Sequence, residues 1–185
     1  MKRSQELAPL SREHLSALIL VYCLKYGKSS NPRYPWPTDP LVQRDKVLQM
    51  WQDELHWHFE AEESCLFDPL EPLLSKELQG VSQALRAEHQ QMRALILDLQ
   101  QGNAIEITHA LSQLGGILDT HIKKEEQVYF AGLEREVPAE TLLKAGKALL
   151  AFYSQRHPYA SVFTGEIQRP ETSIGLPLRE SDSHF

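Results

Sequence analysis

Six residues carry the chemistry that can be read from this sequence: His14, His58, Glu62, His89, His121 and Glu125. His58 and Glu62 stand four apart, as do His121 and Glu125, a spacing that puts two side chains on one helix face about one turn apart. His14 and His89 stand singly. Imidazole suits iron, zinc, copper and nickel, while carboxylates suit harder ions, so a mixed His/Glu set fits iron or manganese. One metal cannot easily use six ligands at different heights. Two metals close together can, with the glutamates as bridges and the histidines as terminal ligands.

The elements that must position these residues are helices, and each places an ionisable group where its own pattern asks for core. Leu48, Trp51 and Leu55 form an apolar stripe that continues onto His58, Glu62 and Leu66. Leu111, Leu114 and Leu118 lead in the same way to His121, Glu125 and Val128. A third run reads Val81, Leu85, His89, Met92, Ile96 and Leu99, and a fourth His14, Ala17, Val21 and Leu24. An unpaired carboxylate in a core costs several kcal/mol or becomes neutral. Two of them among four imidazoles call for a compensating cation. A single HxxxE is common by chance; two on the stripes of two helices, with stripe histidines on two others, are not.

Prolines divide the chain. Pro32, Pro35, Pro37 and Pro40 make the segment from Gly27 to Pro40 a long loop, Pro69 and Pro72 mark a second break, and Pro138 a third. Gly102-Asn103 supplies a turn. Helices are predicted over about 12–26, 41–67, 76–101 and 104–135, with a shorter fifth through Leu142, Leu149 and Phe152. Ser11 is the expected cap of the first helix, with Leu10 and Leu15 stapled across it. The fold class is all-α, an up-down-up-down four-helix bundle over 1–153, followed by a loose or docked tail over 154–185.

Bulk properties agree. The 185 residues suffice for one sizeable core, and 42% hydrophobic with 24% charged residues is ordinary for a soluble globular chain. No run approaches a membrane span and no signal core follows the polar start, so a cytoplasmic protein is expected. A net charge of −6 without a basic cluster argues against nucleic acid. Cys23 and Cys65 form no C-x-x-C pair and no disulfide framework.

These residues resemble the hemerythrin-like, or HHE cation-binding, proteins, whose pattern is His, HxxxE, His, HxxxE on four successive helices. Here it reads Arg12-Glu13-His14, His58 to Glu62-Glu63, Glu88-His89, and His121 to Glu125-Glu126, over about residues 8–152. The resemblance implies a carboxylate-bridged di-iron centre, with manganese or zinc as other occupants. It leaves positions for an oxo or hydroxo bridge and for a molecule such as oxygen or nitric oxide. Oxygen carriers of the family have a further histidine where this chain has Arg93, and place the last carboxylate at the position of Glu126. The second of two histidines common at the first bacterial site is here Leu15. The six-ligand members, which this chain resembles, imply sensing or handling of oxygen, nitric oxide or iron. An enzyme, or an iron donor to damaged iron–sulfur clusters, is the alternative, and a metal-free interaction scaffold a third.

Other residues have narrower expectations. Tyr129 is placed to donate to Glu125 or to sit as a boundary aromatic. Cys65 reads as a buried thiol, and Gly115-Gly116 as a point of close helix approach. His56, His109, His157 and His184 read as surface groups. Glu63 and Glu126 read as outer partners of the site, or as substitutes for their neighbours as ligands.

Overall fold

The computed structural model describes residues 3–156, and every regular element in that span is helical. Helix α1 is Ala8–Tyr26. Helix α2 spans 40–70, with π-turns at Trp51–Leu55 and Glu63–Phe67 interrupting its α-helical stretches. Helix α3 is Lys76–Gln101. Helix α4 spans 104–136 with a π-turn at Glu125–Tyr129, and α5 is Ala139–Arg156. Residues 154–156, expected in the tail, continue α5 instead, and the rest of the expected tail, with His157 and His184, lies outside the described residues.

Local chemistry sets most of these boundaries. Asp39 caps α2 by accepting from the Leu41 amide at 2.8 Å, and Ser75 caps α3 through the Leu78 amide. Asn103 and Glu106 form a reciprocal capping box at the start of α4. Gly27 ends α1 in the left-handed region at φ 64°, where glycine carries no Cβ penalty.

The first helix begins earlier than expected. It starts at Ala8 because Pro9 suits a first turn, where its missing N–H is not needed. Ser11 therefore lies inside the helix and caps nothing. The staple fails with it: Leu10 is buried, but Leu15 faces out at 63% exposure.

Two apolar clusters fill the bundle. One contains Leu10, Leu66, Phe67, Leu85, Tyr129 and Leu133; the other contains Ala17, Met50, Phe59, Met92, Leu114 and Leu118. On each of α1 to α4 the ionisable residues sit between members of the two clusters, as His89 does between Leu85 and Met92. They form a polar layer sealed above and below by hydrocarbon.

The π-turns revise the expected stripes. A π-turn closes i→i+5 and so inserts a residue into the helical register. Upstream of Trp51–Leu55 the core positions are Val47 and Met50, not the predicted Leu48 and Trp51, which are only partly buried. At Glu125–Tyr129 the core position passes to Tyr129, and the predicted Val128 is 47% exposed. Gly115 allows α1 and α4 to approach: a Cβ there would lie 2.8 Å from the Leu24 Cβ, whereas Gly116 faces open space.

Candidate metal centre

The structure brings all six sequence-derived residues together. His14, His58, Glu62, His89, His121 and Glu125 are each at least 96% buried. His14 and His58 meet with Nε2 atoms 3.1 Å apart, and His89 and His121 do the same. Glu62 lies across both pairs, with Oε1 3.2 Å from His58 Nε2 and Oε2 3.4 Å from His89 Nε2. Glu125 Oε2 is 3.1 Å from His14 Nε2 and 3.4 Å from His121 Nε2. Two groups of four candidate ligands result, His14/His58/Glu62/Glu125 and Glu62/His89/His121/Glu125, sharing the two glutamates.

Behind each imidazole stands a carboxylate. The Nδ1 atoms contact Glu126 (from His14), Glu13 (from His58), Glu63 (from His89) and Glu88 (from His121), at 2.7–3.0 Å. An ionised carboxylate only accepts, so each Nδ1 carries a proton, and whenever the ring is neutral its Nε2 turns a lone pair inward. The layer is then built of acceptors alone. None of the four Glu62 and Glu125 carboxylate oxygens has a hydrogen-bond donor, although all are buried. A cation is what such a set lacks.

The charges point the same way. Six carboxylates, the two inner and the four outer ones, face three cations: Arg3 on Glu126 at 2.7 Å, Arg93 on Glu63 at 2.8 and 3.1 Å, and Lys124 on Glu88. Burial alone would lower the pKa of His58, but the charge of Glu62 and the contact with Glu13 raise it well above its usual value. His14 and His89 are likewise raised, against burial, by their glutamate partners. Burial would raise Glu63 and Glu126, yet hydrogen bonds, first from His89 and His14 respectively, hold each at about 2.

Of these outer carboxylates, Glu63 and Glu126 were legible in the sequence, and Glu13 and Glu88 were not. Glu63 and Glu126 turn to Nδ1 atoms rather than replacing their neighbours at the centre. Glu13 and Glu88 immediately precede His14 and His89, and that adjacency is the signal that could have found them. Arg93, which cannot ligate a metal, holds Glu63. Tyr129 is fully buried against Phe67, and its hydroxyl makes no hydrogen bond to Glu125. Cys65 is a buried thiol in no disulfide, His109 is exposed, and His56 is half-exposed beside Glu60.

A small cavity adjoins the centre on one side, with a volume of about 10 Å³, room for one water-sized molecule. Its walls include His14, His58 and His121, apolar Ala17, Phe59 and Leu118, and two carboxylates, Glu13 and Glu54. Burial raises the Glu54 pKa, against a hydrogen bond from Ser16 at 2.5 Å.

An all-helical bundle with a buried His/Glu layer of this kind defines a cation-binding helical protein. The family model of the hemerythrin HHE cation-binding domain matches residues 10–133, and the chain belongs to that family. No curated protein and no solved structure matches the chain. No described helix is long and apolar enough to cross a membrane.

Proposed function

We propose that the protein holds a di-iron centre and uses it to bind or sense a small molecule such as oxygen or nitric oxide, or iron itself. In this reading His14 and His58 hold one ion, His89 and His121 the other, and Glu62 and Glu125 are shared. The observation that carries it is the set of four buried carboxylate oxygens without a hydrogen-bond partner, faced by four inward Nε2 atoms. With neutral imidazoles the carboxylates outnumber the cations Arg3, Arg93 and Lys124, an excess of negative charge that bound cations would offset. The mixed nitrogen and oxygen donors favour iron, with manganese or zinc as competitors.

Iron supplies the redox and Lewis-acid chemistry when bound. The protein's part is to orient each imidazole through its own carboxylate, to exclude bulk water with two apolar clusters, and to leave room for one small molecule. Elemental analysis of protein purified in air is expected to give about two irons per chain with near-ultraviolet charge-transfer absorption. Protein that binds no metal, and is no less stable after His58→Ala, would reject the reading and leave an interaction scaffold.

A second reading, an oxidase or peroxidase-like enzyme, has Glu54 in its favour, a carboxylic acid in the cavity wall. Turnover with peroxide that is lost in Glu54→Gln, with iron content unchanged, would select it over sensing.

A further inference from the structure

The four carboxylates behind the imidazoles are not held alike. Glu126, Glu63 and Glu88 are each gripped by a cation, from Arg3, Arg93 and Lys124. Glu13 has instead the phenol of Tyr153, which donates to its Oε2 at 2.6 Å. The same oxygen faces His58 Nδ1 at 2.8 Å, so phenol, carboxylate and imidazole form one chain that ends at an inward-facing Nε2. Tyr153 is 1% exposed, and burial first, then the charge of Glu13, keeps its hydroxyl protonated. It comes from α5, outside residues 10–133, which the family model matches.

Helix α5 is brought there by close packing. Glu6 lies against Gly146, where a Cβ would meet the Glu6 Cα at 3.0 Å, and seven residues further along both segments Tyr153 reaches Glu13. The two segments therefore run side by side in one direction. Tyr153 is fixed by that contact and by its place in the apolar cluster that contains Leu66 and Leu133.

The consequence is an asymmetry of charge between the two imidazole pairs. One cation stands behind the His14/His58 pair, and two stand behind the His89/His121 pair. A cation on the outer carboxylate draws charge away from the imidazole, whereas a neutral phenol orients the carboxylate and leaves most of its charge for His58. We infer that Tyr153 is a positioning residue which, through Glu13 and His58, makes the two metal positions unequal and the His14/His58 position the one that fills first. This rests on the two-metal reading above.

Cobalt(II) titration of the full chain, followed by visible absorption and calorimetry, tests it. Wild type is expected to bind in two resolved steps, with His58→Ala removing the tighter one. Tyr153→Phe should weaken that step about 10–100-fold, the usual cost of losing an outer partner, and leave the other within about threefold. Arg93→Met, which takes a cation off Glu63, should strengthen the looser step and leave the tighter one within about threefold. Glu13→Gln should mimic Tyr153→Phe, and the double variant should be no weaker than Glu13→Gln alone, since a merely structural tyrosine would give additive losses. Equal weakening of both steps by Tyr153→Phe, no weakening of either, or additivity with Glu13→Gln would overturn the inference. If wild type binds no cobalt at all, the two-metal reading fails instead. Should Tyr153→Phe not fold, Glu13→Gln alone decides, by whether its loss is confined to the step that His58→Ala removes.

Discussion

His14 and His58 aim their Nε2 atoms at one another across 3.1 Å, while a carboxylate behind each ring holds its Nδ1. Two lone pairs at that distance repel unless something positive lies between or beside them. Protons can serve, and the raised pKa values of both rings express that. A metal serves better, because one ion also reaches the oxygens of Glu62 and Glu125. Protons and metal therefore compete for one set of atoms, and most of what can be measured on this protein follows from that competition.

Removing metal should destabilise the fold. A ligand at 100 times its dissociation constant adds about 2.7 kcal/mol, and in a chain of this size each kcal/mol moves the midpoint by roughly 2–4 °C. Thermal melts with and without a strong chelator should thus differ by about 5–11 °C. Coincident melts would mean that the metal does not organise the core.

Glu62→Gln keeps the shape of the side chain and removes the charge shared by both imidazole pairs. Bound metal should fall from about two ions per chain to one or fewer, read by elemental analysis. Glu60→Gln, two residues earlier and paired with the half-exposed His56, should change nothing. Full loading of Glu62→Gln would remove this carboxylate from the bridging role.

The pH dependence has two limbs. Glu63 and Glu126 titrate at about 2 in the folded chain, below the ordinary value of 4.5. A depressed carboxylate contributes stability that is present above its unfolded pKa and lost as pH falls towards the folded one. Metal-free protein should therefore melt progressively lower between about pH 4.5 and pH 2. His14, His58 and His89 are raised instead, so their contribution is complete below 6.5 and fades as pH climbs through their folded values. Metal affinity should run the other way and rise with pH, because binding displaces those protons. Calorimetry in buffers of different ionisation enthalpy would count the protons released; a count of zero would contradict the raised histidines.

Two adjacent glycines should respond oppositely to alanine. At Gly115 the new Cβ would stand 2.8 Å from the Leu24 Cβ, so α1 and α4 must part, at a cost of about 1–3 kcal/mol. At Gly116 nothing lies within 4 Å, and alanine should stabilise the helix by about 0.4–1 kcal/mol. Urea denaturation of the two variants measures both; equal effects would dispose of the close-approach argument.

The all-helical class and the six inward-facing polar residues were legible from sequence because both depend on short-range periodicity. Four successive stripes carry His or Glu where leucine belongs, and helical geometry alone places HxxxE on one face. The register around those residues was not legible. Val47 and Met50 displace Leu48 and Trp51 in the core because a π-turn, stabilised by tertiary packing and without a sequence signature of its own, inserts a residue. Tertiary structure also paired each imidazole with its carboxylate. Glu13 serves His58 and not its own neighbour His14, since adjacent helical residues point about 100° apart and only the facing helix brings a partner within reach. The same holds for Tyr153, which is 140 residues from Glu13 in the chain yet donates to it across one hydrogen bond. Local repetition encodes which atoms turn inward; the packing of one helix on another decides what stands behind them.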